Sequence, residues 1–281
     1  IGAVIGGSRR WFDLGFTTVQ PSEFAKIGTI LALSAFVASR GPAMREFGNI
    51  AVSVLIVLIP MALIFRQPDL GSSLVFGVIW LAVMSVAQIP RKYWWALAAA
   101  APIGIVAAWE FLLAEYQRRR WTVFLNPESD AQGDGFNLIQ ARISIGSGGW
   151  HGFGILGGTQ SQLGLLKVRE SDFIFAHASG MFGFMGMVAL FLAFAILLWR
   201  CLQVSEVARD SLGQAIALGV TGVLFFQAVV NIGMNVGLMP VTGITLPFVS
   251  QGVSSLWAFL VAEGILQSIL IRQRKLAFQP G

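Results

Sequence analysis

The sequence is poor in cysteine, histidine and charged residues, and each shortage excludes a class of protein. Its only cysteine, Cys201, excludes a framework of internal disulfides. The two histidines, His151 and His177, are not spaced with cysteines or carboxylates as zinc ligands are, so we treat both as non-ligands. Charged residues make up 12% of the chain, whereas a soluble globular domain carries about 25%. The sequence therefore does not describe an ordinary soluble domain.

The motifs of the common nucleotide and hydrolase sites are also missing. The sequence contains no Walker loop, no Gly-x-Ser-x-Gly elbow and no dinucleotide fingerprint after a strand. What it does contain is hydrophobic residues, 56% of the total, arranged in long runs. These runs predict an all-α integral membrane protein, a polytopic helical bundle for which the bilayer is the main solvent.

The apolar runs predict about seven spans, each near the roughly 20 residues that a helix needs to cross the hydrocarbon. They are Ser22–Ser39, Gly48–Phe65, Leu70–Ile89, Trp94–Leu113, Ile174–Trp199, Leu212–Val236 and Thr245–Ile271. We interpret residues 1–281 as a single transmembrane domain. Because the chain opens without methionine inside a glycine-rich turn, we expect an N-terminal part of the protein to precede it.

The distribution of cations predicts the orientation in the membrane. Most cations fall in short connections or the tail on one side: Arg40, Arg45, Arg91, Lys92, Arg200, Arg209, Arg272, Arg274 and Lys275. The short connections of the other side carry only Arg9, Arg10 and Arg66. The positive-inside rule makes the first side cytoplasmic, so the long connection at 114–173 faces outward from the cytoplasmic membrane. The net charge of +5 then indicates topology and lipid headgroups rather than nucleic acid.

Asp172 is the most informative polar residue, because it lies where the outward connection enters an apolar run. A carboxylate is costly to desolvate at this depth. It could act as a general base or an ion ligand, or Ser171 or Asp172 could simply cap the following helix. Position alone does not separate the two interpretations. Before it, seven glycines between Gly146 and Gly158 predict irregular backbone that protein or water must cover.

Several other charged residues lie at the ends of the spans. Glu23 and Lys26, three residues apart, share a helical face, which favours a polar pair at an interior cavity over a weak boundary ion pair. Arg118, Arg119 and Arg120 could grip phosphate, or they could contact solvent and lipid headgroups, which is the commoner case. Arg9 and Arg10, beside Trp11, present the same choice.

Two turn regions complete the set of candidates. Asp69, in a tight outward turn, could help to hold a cation, although capping of the next helix is the more frequent role. Between Asn231 and Gly252, prolines and glycines predict a broken or re-entrant connection that lines a cavity. An ordinary proline-rich turn is the alternative.

A series of short motifs follows along the whole chain. They are Arg10-Trp11-Phe12-Asp13-Leu14-Gly15, Gln20-Pro21-Ser22-Glu23-Phe24-Ala25-Lys26, Gln67-Pro68-Asp69-Leu70-Gly71-Ser72, Tyr116-Gln117-Arg118, Asn126-Pro127-Glu128-Ser129-Asp130, Gly146-Ser147-Gly148-Gly149, Gly158-Thr159-Gln160-Ser161-Gln162-Leu163, Asp172-Phe173-Ile174-Phe175-Ala176, Asn231-Ile232-Gly233-Met234 and Leu246-Pro247-Phe248-Val249-Ser250. In content and order they resemble the SEDS family (shape, elongation, division and sporulation), most closely its RodA branch.

This resemblance implies a bundle of about ten spans and a peptidoglycan glycosyltransferase that polymerises lipid II outside the cytoplasmic membrane during cell-wall elongation. It implies that Asp172 is the catalytic general base. The implied substrate-binding residues are Glu23, Lys26, Arg10, Asp69, Arg118, Gln160, Gln162 and Ser250. A divalent cation, Mg²⁺ or Mn²⁺, could neutralise the leaving diphosphate, although no side chain is assigned to a metal.

The partners implied by the resemblance are lipid II, a class B penicillin-binding protein transpeptidase, membrane proteins of the elongation complex and membrane lipids. Two alternatives remain. Broken helices and buried charges also suit a transporter or flippase of a lipid-linked precursor. Where the family pattern has acidic residues, this chain has Leu166-Lys167-Val168 and Gly180-Met181, which leaves a non-catalytic scaffold of the cell-wall complex open.

Overall fold

The computed structural model describes residues 3–5, 8–13, 15, 18–130, 133–154 and 170–274. The chain divides into two compact units. Unit 1 comprises Ile1–Ile89, Ala195–Gln227 and Gly252–Gly281, and unit 2 comprises Pro90–Phe194 and Ala228–Gln251.

Helices dominate the described residues. In chain order they are α1 (Pro21–Arg40), α2 (Phe47–Phe65), α3 (Leu70–Met84), α4 (Arg91–Ala107, continued by a π-helical turn at Ala108–Leu112), α5 (Glu115–Leu125), α6 (Asp134–Ser147), α7 (Ile174–Val207), α8 (Ser211–Asn235) and α9 (Val253–Arg274). Short 3-10 turns lie at Gly41–Arg45 and Pro127–Asp130. Within the described part, six helical stretches are long and apolar enough to cross a membrane, and α3 is apolar but has only 15 residues. The predicted all-α membrane bundle is confirmed.

The boundaries of the predicted spans differ clearly from the observed helices at three places, and one is the end of α7, which continues to Val207 instead of ending at the predicted Trp199. The span predicted at Thr245–Ile271 is wrong at its start, because α9 begins only at Val253. Before it, the hydroxyl of Ser250 accepts a hydrogen bond from the Leu246 amide at 2.8 Å, and Pro247 cannot donate to a helix. The span predicted to run from Leu70 to Ile89 ends at Met84, where the chain enters a turn.

Unit 1 begins with a small antiparallel sheet of order β1-β2-β3, formed by Ala3–Ile5, Ser8–Asp13 and Thr18–Val19. The sequence indicated only a glycine-rich turn there. Helix α1 follows with Pro21 in its first turn, where the missing amide proton costs nothing. Leu33 of α1 is among the fully buried residues of this unit.

Unit 2 contains the long connection, and its described parts are largely helical. A buried cluster of Phe175, Met187, Phe194, Ala228 and Leu246 forms its core. A second cluster joins Ala141 of α6 to Phe173 and Ala176 at the start of α7. Packing of α6 against the start of α7 therefore fixes the backbone on both sides of that helix start.

Helix α7 is interrupted at Gly183, whose φ of 63° and ψ of −165° are not helical. The glycine-rich segment covers the break: the Phe184 amide donates to the Gly149 carbonyl at 2.8 Å. A Cβ at Gly183 would lie 2.4 Å from the Gly152 nitrogen, so only glycine fits this close backbone approach. The predicted irregular, protein-covered backbone is present at 148–154, while 155–158 lie outside the described residues.

Candidate active site

Two asparagines of α8 hold the backbone of Asp172 in place. The side-chain amides of Asn235 and Asn231 donate to the Asp172 carbonyl at 2.9 and 3.2 Å. Asn231 also donates to the Ile244 carbonyl at 2.7 Å, and Asn235 accepts from the Ala176 amide at 3.0 Å. Both side chains are 0% exposed. Since buried amides left unpaired are costly, this network specifies one position for the aspartate.

The connection between α8 and α9 supplies a second set of contacts to the same segment. The Ser250 hydroxyl donates to the Ser171 carbonyl at 2.6 Å, and the Gln251 amide donates to the Glu170 carbonyl at 2.7 Å. Ser250 therefore positions the residue next to Asp172. Its expected contact with substrate stays a prediction.

Asp172 lines a cavity of about 140 Å³ within unit 2, formed by α5, α6, the start of α7 and the connection that follows α8. The polar lining consists of Asp172, Arg120 and Asn137, and the remaining walls include Phe124 and Val241. One nitrogen of the Arg120 guanidinium donates to the Val241 carbonyl at 3.2 Å. The cavity thus combines a carboxylate, a tethered guanidinium and an amide between apolar walls.

Asn137 is the third polar residue that lines this cavity. Its Oδ1 atom is buried and has no hydrogen-bond partner within the described part of the chain. A buried acceptor left unpaired costs about 1–3 kcal/mol. A donor that reached this oxygen would offset that cost.

The three neighbouring arginines of α5 have different surroundings. Arg118 is not among the residues that line the Asp172 cavity, and it donates to the Glu110 carbonyl at 2.9 Å. Arg119 forms an exposed ion pair with Asp130 at 2.9 Å. Only Arg120 of the three lines the cavity. The sequence left open whether these arginines grip phosphate or contact solvent and lipid headgroups, and the family resemblance implied Arg118 as a substrate-binding residue, which stays a prediction.

Glu23 and Lys26 form a buried ion pair in unit 1. Lys26 Nζ lies 2.7 Å from Glu23 Oε2, and the two residues are 3% and 6% exposed. The space beside them measures only about 20 Å³, and its walls include Ile27, Val220 and Phe259. Their expected position on one helical face is confirmed, whereas their role as substrate contacts stays a prediction.

The remaining predicted site residues have different outcomes. Asp69 precedes α3, and its Oδ1 atom accepts from the Ser72 amide at 2.9 Å, which is helix capping. Arg10 lies in the second strand, but its side chain is outside the described part, as are Gln160 and Gln162. For these residues a substrate contact remains a prediction.

The sequence reasoning missed Asn137 and Asn235. For Asn235 a signal was present, because it follows Asn231 by four residues in an otherwise apolar run and thus shares its helical face. Two amides on one buried face of a span need partners. Asn137 gave no comparable signal, since polar residues are common in a connection of this length.

The chain is similar to known proteins along almost its whole length. The family described as FtsW/RodA/SpoVE cell cycle protein matches residues 1–275. The chain is 37% identical over 280 residues to the peptidoglycan glycosyltransferase MrdB of Escherichia coli (strain K12), covering 98% of this chain and 74% of that protein. It is 37% identical over 270 residues to stage V sporulation protein E of Bacillus subtilis (strain 168), covering 96% and 73% of the two chains.

Two solved structures are similar over the entire chain. One is a peptidoglycan synthase complex in which polymerization and crosslinking are coordinated, with a TM-score of 0.80 and 32% identity, covering 100% of this chain and 77% of that one. The other is the rod shape determining protein RodA of Thermus thermophilus, with a TM-score of 0.65 and 28% identity, covering 100% and 73%.

Proposed function

The chain belongs to the FtsW/RodA/SpoVE family of cell cycle proteins and is a peptidoglycan glycosyltransferase, and from this premise we propose that it polymerises lipid II with Asp172 as the general base. The reaction takes place at the outer face of the cytoplasmic membrane, during cell-wall elongation. One observation carries this proposal: Asp172, Arg120 and Asn137 line the same cavity. Two buried asparagines hold the backbone of Asp172 in place there.

The geometry supports a division of roles in the glycosyl transfer. A hydroxyl of the acceptor sugar attacks the anomeric carbon of the donor, and Asp172 takes the hydroxyl proton as the new carbon–oxygen bond forms. The bond from the anomeric carbon to the diphosphate breaks, and the diphosphate leaves with its electron pair. Arg120 provides positive charge in the same cavity, where it stabilises the developing negative charge. Asn137 accepts a hydrogen bond from the bound sugar.

A divalent cation, Mg²⁺ or Mn²⁺, could bind in this cavity together with the diphosphate, but the proposed roles of the side chains do not depend on it. Within the described residues, no three His, Cys, Asp or Glu side chains are grouped to hold a metal ion. Mg²⁺ is often held by one or two carboxylates and by substrate phosphates, so one carboxylate in the cavity is compatible with a cation that arrives with the diphosphate. Bound there, the cation would supply further positive charge for the leaving group.

The proposal also covers the side of the membrane on which the connection lies and the proteins with which the chain assembles. The described helices make the chain a membrane protein, and the positive-inside rule supports an extracytoplasmic position for the connection at 114–173. The similarity to a peptidoglycan synthase complex that coordinates polymerization and crosslinking supports a class B penicillin-binding protein as the partner, together with other membrane proteins of the elongation complex.

The test compares Asp172→Asn with wild type in a reconstituted system. The full-length protein and its transpeptidase partner are supplied with labelled lipid II, and glycan chains are measured. Loss of a positioned general base lowers the rate by about 10²–10⁴-fold, so Asp172→Asn is expected to make almost no polymer. Asp130→Asn, which removes another carboxylate of unit 2 that does not line the cavity, is the matched control and retains activity.

Two outcomes would overturn the proposal. Equal polymer from Asp172→Asn and wild type would exclude Asp172 as the base. In the same vesicles, a fluorescent lipid II analogue measures translocation. Transfer of that analogue across the bilayer by wild type, without any polymer, would favour the flippase alternative.

A further inference from the structure

A second cavity, distinct from the Asp172 cavity, lies in unit 1 between the start of α8 and the end of α9. It has a volume of about 370 Å³. Its polar lining consists of Arg209, Asp210, Ser268 and Arg272. The two arginines come from different helices, and both belong to the membrane side that the positive-inside rule makes cytoplasmic. No step of the proposed glycosyl transfer uses any of these residues.

The charge at the mouth of this cavity is positive. Neither Arg209 nor Arg272 forms an ion pair with a carboxylate in the described part of the chain. The nearby carboxylate, Asp210, is already engaged, since its Oδ1 atom accepts a hydrogen bond from the Gly213 amide at 2.8 Å and caps the start of α8. Two guanidinium groups thus face the cavity with donors available for an anion.

The walls of the same cavity are apolar. Leu212 and Ile216 of α8 face it, as do Ile265 and Ile269 of α9. In each helix the two residues are four apart and therefore lie on one face, which runs from the cationic mouth along the membrane-spanning part. A cationic end that continues into an apolar groove matches an amphiphile with an anionic head and a hydrocarbon chain.

We propose that this cavity binds an anionic phospholipid. The phosphodiester lies between Arg209 and Arg272, because guanidinium groups pair with phosphate oxygens through two parallel hydrogen bonds. An acyl chain lies along Ile216 and Ile269. Basic pockets between membrane helices on the cytoplasmic side are a recognised form of lipid-headgroup site. The apolar walls distinguish this occupant from free phosphate, which would need only the mouth.

The test measures lipid retained by the purified full-length protein. Protein in detergent is incubated with phosphatidylglycerol or with phosphatidylcholine of the same acyl chains, and bound lipid is counted by native mass spectrometry. Wild type is expected to retain phosphatidylglycerol in preference to phosphatidylcholine. The double variant Arg209→Gln/Arg272→Gln is expected to retain roughly tenfold less phosphatidylglycerol.

Matched variants separate this site from general attraction to anionic lipid. Arg91→Gln/Lys92→Gln removes two cations from the same predicted membrane side but outside the cavity, and it should retain phosphatidylglycerol as wild type does. Ser268→Trp fills the cavity while keeping both arginines, and it should lose the lipid. Thermal unfolding of each variant establishes that it is folded before lipid is counted.

Two results would overturn the proposal. An equal loss of phosphatidylglycerol from both double variants would show a diffuse electrostatic effect and no site. Displacement of the bound lipid from wild type by millimolar inorganic phosphate would show that the arginines bind soluble phosphate and that the apolar walls contribute nothing.

Discussion

The two units of the chain each place acidic and basic side chains away from bulk water, but in opposite ways. In unit 1, Glu23 and Lys26 contact each other directly at 2.7 Å, and the space beside them measures about 20 Å³. In unit 2, Asp172 and Arg120 line a cavity of about 140 Å³, which is about seven times the 20 Å³ beside the pair in unit 1. Arg120 there is anchored to a backbone carbonyl.

Under the proposed mechanism, this difference separates a structural ion pair from a general base. In a buried ion pair each charge is balanced by its partner, so the pair presents little charge to a substrate. A carboxylate beside an open volume, on a backbone that other residues hold, can exchange a proton with whatever enters. On this reasoning, Arg120 in unit 2 is a better source of charge for the leaving diphosphate than Lys26, whose charge is already balanced by Glu23.

The largest effect is expected from breaking the pair in unit 1. Lys26→Met leaves the Glu23 carboxylate buried without its partner, which costs about 3–5 kcal/mol. Thermal unfolding of the purified protein in detergent should show a large drop in melting temperature. The double variant Glu23→Gln/Lys26→Met removes both charges and should recover most of that loss. Equal melting temperatures for the single and double variants would contradict a mutually compensating pair.

The next effect is expected from loosening the backbone at Asp172. Asn235→Ala removes hydrogen bonds to the Asp172 carbonyl and from the Ala176 amide, and each buried group left unpaired costs about 1–3 kcal/mol. Displacement of a catalytic group by about 1 Å can lower the rate roughly 10²-fold. Polymerisation should therefore fall further than the stability loss alone explains, measured as kcat on the fraction that remains folded.

A control for this prediction exists in unit 1. Asn49 also donates its side-chain amide to a backbone carbonyl, that of Ala43 at 2.8 Å. Asn49→Ala should lower stability slightly and leave kcat unchanged. If Asn49→Ala and Asn235→Ala reduce polymer yield equally, the asparagines of α8 have no specific role in positioning Asp172.

A smaller effect is expected at Gly243, whose ideal Cβ would lie 3.9 Å from Asp172 Oδ2. That distance is an ordinary contact, so space is not the obstacle. Its φ of 75° is the obstacle, since a left-handed conformation costs an L-residue about 1–2 kcal/mol. Gly243→Ala should lower the melting temperature and polymerisation together.

Gly28→Ala is the control, because Gly28 lies in α1 with open space around it. This variant should raise stability by about 0.5–1 kcal/mol. Destabilisation by both variants would contradict the backbone explanation.

The sequence predicted the membrane helices and the shared helical face of Glu23 and Lys26, because both follow from local spacing and hydropathy. It did not predict the start of α9, since a hydroxyl of Ser250 replaces a helical hydrogen bond there. It did not separate Arg118 from Arg120, because both lie on one short helix and only tertiary packing decides which one lines the cavity. Asn137 escaped notice for the same reason.

The smallest effect, and the one that best sharpens the contrast between structural and reactive charges, is expected at Asp69. Its carboxylate caps α3, and asparagine caps a helix about as well as aspartate. Asp69→Asn should therefore leave both the melting temperature and polymerisation near wild type, whereas Asp69→Ala should cost about 1 kcal/mol of stability. If Asp69→Asn instead abolishes polymerisation at an unchanged melting temperature, the negative charge of Asp69 is needed for the reaction. Unit 1 would then contribute a functional carboxylate in addition to the helix cap.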